Sequence, residues 1–435
     1  MSRVDRRRTG GVSEAAQFSD MTSVRRHRPD YLIVLYMGLL MLIGLIIIFA
    51  IGPQRANVLN GAYGSDYSDS YFFMKQLLSL LIAVIAFGIM AYVPYTFVTK
   101  HAGKLLLIAI GACALLAVSG WLGLGIAQES LGATRWFNFG GLSLQPAELV
   151  KFAILVFMAG FLGSKVKKGA LNSMTETIQP LAYVMAIALL FIVLIQKDLG
   201  TGISLVCMVL TMLIVAKLNL RNSAIIATTV AVVGLVMIFS APHRVERIMT
   251  YLKGDNTSVS DPEGYHIEHA KIAIGTGGLF GVGIGNSVQA TGYLPEAIND
   301  SVFAIMGEIF GLVGLVTILA LFVALLMRLL KVMDHLVDVR LKLLAAGVFG
   351  WFGSHVILNV GAMIGIIPLT GITLPLLSYG GTSMLFIAAS LGLIFQLSHY
   401  TVHTSRLKEA QHEDLGSRRR VGRSHNPGRS GSSRT

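Results

Sequence analysis

The sequence predicts an all-α integral membrane protein with about ten transmembrane helices and a large outer loop between helices 7 and 8. The first observation is composition: 54% of the 435 residues are hydrophobic and only 13% are charged, whereas a soluble domain carries about 25% charged residues. The second is a series of apolar runs of about 20 residues, the length that crosses the hydrocarbon layer. The third is that these runs lack strand-like alternation, which favours helices over a barrel.

Ten apolar runs define the predicted spans, and the fourth and sixth are the shortest. They cover approximately 31–52, 73–93, 105–125, 148–163, 178–195, 199–216, 223–240, 302–327, 344–367 and 383–399. Together they form one membrane domain over 31–400. A basic cytoplasmic tail over 1–30 precedes this domain, and a basic, disordered tail over 401–435 follows it.

The charge distribution predicts the orientation. Most of the 35 Lys and Arg residues lie in the two tails and in the loops near residues 100, 165, 217 and 335, which places both termini in the cytoplasm. The first apolar run is long enough to remain as an anchor rather than a cleaved signal. A net charge of +12 would also suit nucleic acid, but the apolar content favours membrane lipids and no nucleic acid. The basic C-terminal tail attracts anionic lipid or, alternatively, docks a cytoplasmic partner.

The sequence predicts no protein-bound metal. Cys113 and Cys207 both lie in apolar runs, so neither a disulfide framework nor a cysteine-based zinc site is expected. His266, Glu268 and His269 do not follow the spacing of zinc proteases, in which two histidines four residues apart enclose a glutamate.

Two outer segments are long enough to suggest function, the loop over 128–146 and the loop over 241–300. The second loop contains a glycine-rich part over 275–285 that fits neither the dinucleotide fingerprint nor the phosphate loop. The pattern therefore predicts a close-packed or re-entrant segment in which backbones touch.

Asp300 lies where this large loop joins span eight. One reading is an ordinary helix N-cap. The other is a general base at the outer membrane surface, where the head group of a lipid-linked substrate would lie. From the residues alone the two readings have equal weight.

Other ionisable residues lie at membrane depth, where charge is costly and often functional. Glu148 and Lys151 are three residues apart on one helix face and are expected to pair; with Arg135 they form either an internal ion pair that fixes packing or a cationic site for phosphate. Asp198 is expected to cap span six. Glu308 is a further buried carboxylate of unassigned role.

Several short motifs follow one another along the chain, distributed over the ten predicted spans. They are Gly132-Ala133-Thr134-Arg135-Trp136, Leu144 to Lys151, Asp198-Leu199-Gly200-Thr201, Gly285 to Gln289, Tyr293 to Ala297, and Pro375 to Ser383. On these motifs the chain resembles the SEDS (shape, elongation, division, sporulation) family of bacterial peptidoglycan glycosyltransferases from about residue 31 to 400. The residues Asn-Ser-Val-Gln at 286–289 and Leu-Pro-Glu-Ala at 294–297 are more similar to those of the cell-division members than to those of the elongation members.

The resemblance implies an enzyme that polymerises lipid II at the outer face of the cytoplasmic membrane, at the division septum, and releases undecaprenyl pyrophosphate. It makes Asp300 the catalytic residue and assigns substrate binding to residues of the matched motifs, namely Arg135, Glu148, Lys151, Asp198, Glu296 and Ser378. It also implies a divalent cation (Mg²⁺ or Mn²⁺) that the sequence does not show. The implied partners are a class B penicillin-binding protein transpeptidase and other divisome proteins.

The implied chemistry is physically consistent. A carboxylate can remove the proton from the sugar 4-hydroxyl that attacks the donor's anomeric carbon. The pyrophosphate leaving group needs charge stabilisation, from Arg135, Lys151 or a divalent ion, rather than protonation. An α-linked donor that gives a β-linked glycan means inversion, so no covalent glycosyl-enzyme is required.

The chain departs from the family pattern at four positions. The family often has His-Thr before the aspartate, where this chain has Ile298-Asn299, and glutamines where it has His266 and His269. These departures leave open how the acceptor sugar is held and how activity depends on pH. Two other functions are alternatives: a lipid II flippase that tolerates loss of Asp300, and a non-catalytic scaffold that activates the transpeptidase. The outer ends and flanks of spans eight and nine are the expected contact surface for that partner.

Overall fold

Helices account for most of the chain, as apolar runs of this length require in a membrane. This computed structural model describes residues 28–130, 133–139, 142–239 and 262–401, together with residues 245 and 249. In chain order the helices are α1 (Tyr31–Tyr63), α2 (Tyr71–Tyr92), α3 (Tyr95–Lys100), α4 (Ala102–Trp121), α5 (Pro146–Lys167), α6 (Gln179–Leu189), α7 (Leu199–Val215), α8 (Leu220–Phe239), α9 (Pro262–Thr276), α10 (Val302–His335), α11 (Val339–Met363) and α12 (Gly381–Leu397).

The predicted multi-span architecture is confirmed. Within the described residues, eight helical segments are long and apolar enough to cross a membrane, and one of them is α6 with the π-helical turns on either side, over Met174–Ile195. Helix α7 and the part of α8 over Leu220–Gly234 are shorter apolar stretches at the positions of the sixth and seventh predicted spans. The two predicted tails and most of residues 241–261 lie outside the described residues.

Several helices continue beyond the limits set by hydropathy. Helix α1 runs to Tyr63 although its apolar run ends at residue 52, and Pro53 lies inside it. Helix α10 runs to His335, eight residues past its predicted end at 327. Hydropathy falls where a helix leaves the hydrocarbon, but its backbone hydrogen bonds continue, so apolar runs underestimate helix length.

The segment between α4 and α5 contains a feature that the all-helical prediction missed. A three-stranded antiparallel sheet is formed by β1 (Ala127–Ser130), β2 (Ala133–Phe139) and β3 (Leu142–Leu144). Gln128 pairs with Trp136, and Phe137 pairs with Leu144. Strands this short are invisible to a search for 20-residue apolar runs.

Helix α10 is broken near its N-terminal end. Gly311 has φ 66° and ψ −167°, which interrupts the helical hydrogen bonds. The glycine-rich segment (275–285) replaces those bonds: Val282 donates to the Glu308 carbonyl at 2.9 Å, and Leu312 donates to the Gly278 carbonyl at 2.9 Å. At the break, the backbone of α10 therefore forms hydrogen bonds with the backbone of the glycine-rich segment instead of with itself.

The glycines in this segment allow that close approach. A Cβ on Gly281 would lie 2.1 Å from the Ile309 carbonyl oxygen, and one on Gly277 would lie 1.9 Å from the Gly307 carbonyl oxygen. No side chain fits at either distance. The prediction of a close-packed segment in which backbones touch is confirmed.

Helix α11 lies at the centre of the bundle and positions the candidate site. It packs against α5, α7 and α10, while α2 packs against α12 and α9 against α10. Its side chains are mostly buried, including Trp351, His355 and Asn359. These three residues are spaced by four, so they share one face of the helix.

Candidate active site

Asp300 lies in the turn that leads into α10, and its side chain is half-buried. Ser301, the next residue, occupies the N-cap position of α10. The expectation that Asp300 is simply the helix cap is therefore wrong. Its position at the end of the large loop leaves the general-base reading standing.

The backbone around Asp300 is held by groups from the C-terminal part of the chain. The Asn359 side-chain amide donates to the Asp300 carbonyl at 2.7 Å and to the Ile372 carbonyl at 2.8 Å. The Tyr379 backbone N–H donates to the Ile298 carbonyl at 2.8 Å. The end of the large loop is thus fastened to α11 and to the loop between α11 and α12.

Glu296 lies one turn before Asp300 and is much more open. Its side chain is 50% exposed, and it lies 3.9 Å from the Arg55 guanidinium. The Asn299 side-chain amide also donates to its carboxylate. Glu296 has φ 48°, a left-handed conformation that turns the chain sharply just before Asp300. Its predicted contact with substrate stays a prediction.

The two histidines of the large loop have defined partners. Because the Ser301 hydroxyl donates to the Pro295 carbonyl at 2.8 Å, it accepts from His266 Nε2 at 2.6 Å. His269 Nδ1 lies 2.7 Å from the Gln289 side-chain oxygen, and its ring packs against Tyr265. These contacts are intramolecular, and the described residues contain no group of three His, Cys, Asp or Glu side chains that could hold a metal ion.

Glu308, whose role the sequence left unassigned, anchors the large loop to α10. Its buried carboxylate accepts from the Ser287 hydroxyl at 2.5 Å and from the Val288 backbone N–H at 2.9 Å. The Gln289 N–H lies 3.3 Å from both carboxylate oxygens. A carboxylate with these donors is satisfied within the protein.

Glu148 and Lys151 form the expected ion pair, on one face of α5. Lys151 Nζ lies 2.7 Å from Glu148 Oε1, and the side chains are 0% and 3% exposed. The ammonium also lies 3.1 Å from His355 Nε2 and 4.9 Å from the centre of the Trp351 ring. In this conformation the charge of Lys151 is enclosed and balanced by protein groups.

Trp351 and His355 are members of this cluster that sequence reasoning missed. The Trp351 indole N–H donates to His355 Nε2 at 3.2 Å. The contact between Lys151 and His355 joins residues 204 positions apart, which no local pattern encodes. The available signal was a histidine four residues after a tryptophan in the middle of a mostly apolar helix.

Arg135 lies beside the residues that immediately precede Asp198, where β2 approaches the start of α7. Arg135 donates through Nε to the Gln196 carbonyl and through Nη2 to the Lys197 carbonyl, each at 3.0 Å. Asp198 accepts from the Thr201 N–H at 2.9 Å, which confirms it as the cap of α7. It also accepts from the Gln145 side chain at 2.9 Å, and Gln145 immediately precedes α5. Gln145 therefore links the start of α7 to α5, the helix that carries Glu148 and Lys151.

Ser378 is buried in the loop between α11 and α12. Its hydroxyl accepts from the Leu374 N–H at 2.8 Å, so it shapes this loop, and its predicted contact with substrate stays a prediction. Its neighbour Tyr379 is also largely enclosed. Burial raises the pKa of Tyr379 to about 12, and the nearby Tyr71 and Tyr67 add to the shift. The Tyr379 hydroxyl therefore stays protonated at physiological pH.

Comparison with known proteins gives matches along nearly the whole described chain. The sequence model of the FtsW/RodA/SpoVE family, described as cell cycle proteins, matches residues 30–403. Stage V sporulation protein E of Bacillus subtilis (strain 168) is 34% identical over 383 residues, which cover 87% of this chain and 99% of that protein. A probable peptidoglycan glycosyltransferase FtsW of Taylorella equigenitalis (strain MCE9) is 31% identical over 369 residues, covering 83% and 95%.

Solved structures share the fold at lower sequence identity. One is from work on the structural coordination of polymerization and crosslinking by a peptidoglycan synthase complex; it has a TM-score of 0.67 and 23% identity, and covers 85% of this chain and 97% of that one. The rod shape determining protein RodA of Thermus thermophilus has a TM-score of 0.61 and 22% identity, covering 86% and 98%. Both likenesses support the fold.

Proposed function

The chain belongs to the FtsW/RodA/SpoVE family of cell cycle proteins, and from this premise we propose that it polymerises lipid II into glycan strands, with Asp300 as the general base. That it is a peptidoglycan glycosyltransferase accords with relatives such as the FtsW proteins of Taylorella equigenitalis and Tolumonas auensis (strain DSM 9187), the latter 34% identical over 338 residues. The observation that carries the assignment of the base is the place of Asp300, half-buried and with its backbone clamped at the outer end of α10.

In the proposed reaction the Asp300 carboxylate accepts the proton of the acceptor sugar's 4-hydroxyl. The oxygen attacks the anomeric carbon of the donor, a new glycosidic bond forms, and the bond to pyrophosphate breaks. The electron pair of that bond leaves with undecaprenyl pyrophosphate. The configuration at the anomeric carbon inverts, and the proton ends on Asp300 until solvent removes it.

Charge on the leaving pyrophosphate requires a cation. Arg135 suits this role because it is half-buried at the outer surface and is oriented by two backbone carbonyls. Lys151 is enclosed, so its proposed part is to form the floor of the site with Glu148. Asp198, Glu296 and Ser378 complete the proposed substrate-binding set.

The described residues contain no group of three His, Cys, Asp or Glu side chains that could hold a metal ion. A requirement for Mg²⁺ or Mn²⁺ remains a proposal. It is tested by comparing polymerisation in each cation with polymerisation in a chelator.

We also propose a penicillin-binding protein transpeptidase and other divisome proteins as partners. A structural neighbour that is a peptidoglycan synthase complex, with polymerization and crosslinking coordinated, supports a partner of this kind. The FtsW relatives favour a role at the division septum over the elongation role of RodA. The chain is a multi-pass membrane protein, and both termini are proposed to be cytoplasmic.

Purified protein, alone and with its transpeptidase partner, is incubated with fluorescent lipid II, and the products are resolved by gel electrophoresis. A ladder of glycan products is expected. If no ladder forms even with the partner, the polymerase proposal fails. A lipid II translocation assay in vesicles then tests the flippase alternative, and complementation of a division defect by Asp300→Asn tests the scaffold alternative.

A further inference from the structure

Asn359 occupies an unusual place between three parts of the chain. It lies on the central helix α11, is 1% exposed, and uses both hydrogens of its amide nitrogen. One hydrogen bonds to the Asp300 carbonyl at the end of the large loop, and the other bonds to the Ile372 carbonyl in the loop before α12. A single side chain thus fixes two loops to one helix.

The chemistry of the contact requires the amide of asparagine. Both partners are carbonyl oxygens, so only a group with two donors on one atom satisfies them. Aspartate would direct an oxygen at both carbonyls, and leucine of similar volume would remove this donor from both of them. The orientation of the amide follows for the same reason, because the flipped form would direct Oδ1 at both carbonyls.

A second contact holds the same turn from its other side. The Tyr379 N–H donates to the Ile298 carbonyl at 2.8 Å, two residues before Asp300. That bond is between backbone groups, so no side-chain substitution removes it directly. Asn359 is therefore a side chain through which the position of the Asp300 backbone can be changed by mutation.

We propose that Asn359 is a positioning residue that holds Asp300 in place for catalysis. It acts through the Asp300 backbone and does not touch the substrate. Its kinetic consequence rests on the proposed function of Asp300, since a displacement of the base by about 1 Å costs up to about a hundredfold in rate. The loss is expected mainly in kcat, because Asn359 acts on the position of the base and makes no substrate contact of its own.

A matched control is available at the other end of α12. Gln396 is also a buried amide whose nitrogen bridges two backbone carbonyls, those of Ala91 at 3.2 Å and Val93 at 2.6 Å. Its side-chain oxygen accepts from the Tyr95 N–H as well. Gln396→Leu therefore removes at least as many hydrogen bonds as Asn359→Leu, far from Asp300.

The first readout does not depend on the reaction. Full-length protein with Cys113→Ala, Cys207→Ala and Asp300→Cys is reconstituted in nanodiscs and labelled with a membrane-impermeant methanethiosulfonate reagent. Adding Asn359→Leu is expected to raise the labelling rate of the introduced thiol by about fivefold or more, as local opening becomes easier. Adding Gln396→Leu is expected to leave that rate unchanged.

The second readout is lipid II polymerisation with Asp300 present. Asn359→Leu is expected to lower kcat about tenfold to a hundredfold, whereas Gln396→Leu retains the kcat of the wild type per folded molecule. Asn359→Ser, whose hydroxyl cannot reach both carbonyls, carries the same expectations if Asn359→Leu does not yield monodisperse protein. Equal labelling rates with and without the Asn359 substitution would overturn the positioning role. A wild type without activity would overturn the proposed function, while the labelling result still decides the inference.

Discussion

The buried ion pair between Glu148 and Lys151 gives a prediction whose size follows from the structure. The charged atoms are 2.7 Å apart, and both side chains are almost fully enclosed. Lys151→Met removes the ammonium and leaves the Glu148 carboxylate buried without its partner. Breaking a buried pair in this way costs about 3–5 kcal/mol.

The cost has a ceiling, because the remaining carboxylate can take up a proton instead. Neutralising an ordinary glutamate side chain at pH 7 costs about 3.7 kcal/mol, from about 2.7 pH units at about 1.36 kcal/mol each. We therefore expect Lys151→Met to lower the free energy of unfolding by about 3–4 kcal/mol at pH 7. The deficit relative to wild type should shrink by about 1.36 kcal/mol per pH unit as the pH falls, because folding of the variant then takes up a proton.

The matched control replaces both charges. In Glu148→Gln/Lys151→Met no charge is left unpaired, so stability is expected within about 1 kcal/mol of the wild type and without the added pH dependence. The assay is SDS-induced unfolding in mixed micelles at pH 7 and pH 5. If Lys151→Met is as stable as the double variant at pH 7, the enclosed pair does not exist in the folded protein and the reasoning fails.

Two further predictions concern the large loop (241–300) and its contacts with α10. Gly281→Ala is expected to destabilise the protein by about 2 kcal/mol more than Gly285→Ala in thermal unfolding. Both glycines have positive φ, but only Gly281 faces the Ile309 carbonyl at close range. Equal effects of the two substitutions would contradict the backbone pairing. Glu308→Leu removes the acceptor that holds the loop, at about 1.5–3 kcal/mol, so limited proteolysis with chymotrypsin after the exposed Tyr293 is expected to accelerate; an unchanged cleavage rate would show that the loop is held elsewhere.

The membrane spans could be predicted from sequence because apolar length is a local property. The pair of Glu148 and Lys151 was also predictable, since three-residue spacing places both on one helix face. The glycine-rich segment predicted a close approach between two stretches of backbone. Its partner, the break in α10 at Gly311, was not predictable, because Gly311 is one of three glycines in this apolar run, with Gly307 and Gly314, and nothing in the run shows at which of them another backbone will pair.

The contacts that organise the site are long-range, between residues far apart in the sequence, and could not be predicted in this way. Lys151 meets His355 across 204 positions, and Asn359 meets Asp300 across 59 positions. Such contacts depend on how helices pack, and the spacing of residues in one segment carries no information about them. Asp300 itself illustrates the limit: without the family resemblance, its position at a helix start fits a cap and a base equally, and the N-cap position of α10 is occupied by Ser301.

The most direct test of the central claim compares two neighbouring carboxylates in one assay. Wild type, Asp300→Asn and Glu296→Gln, each with the transpeptidase partner, are supplied with fluorescent lipid II, and the rate of glycan formation is measured. Asp300→Asn is expected to abolish the product ladder while the protein remains folded and inserted, and Glu296→Gln is expected to retain the ladder with a raised KM. A ladder that survives in Asp300→Asn and is lost in Glu296→Gln would assign the base to Glu296 and contradict the mechanism proposed for Asp300.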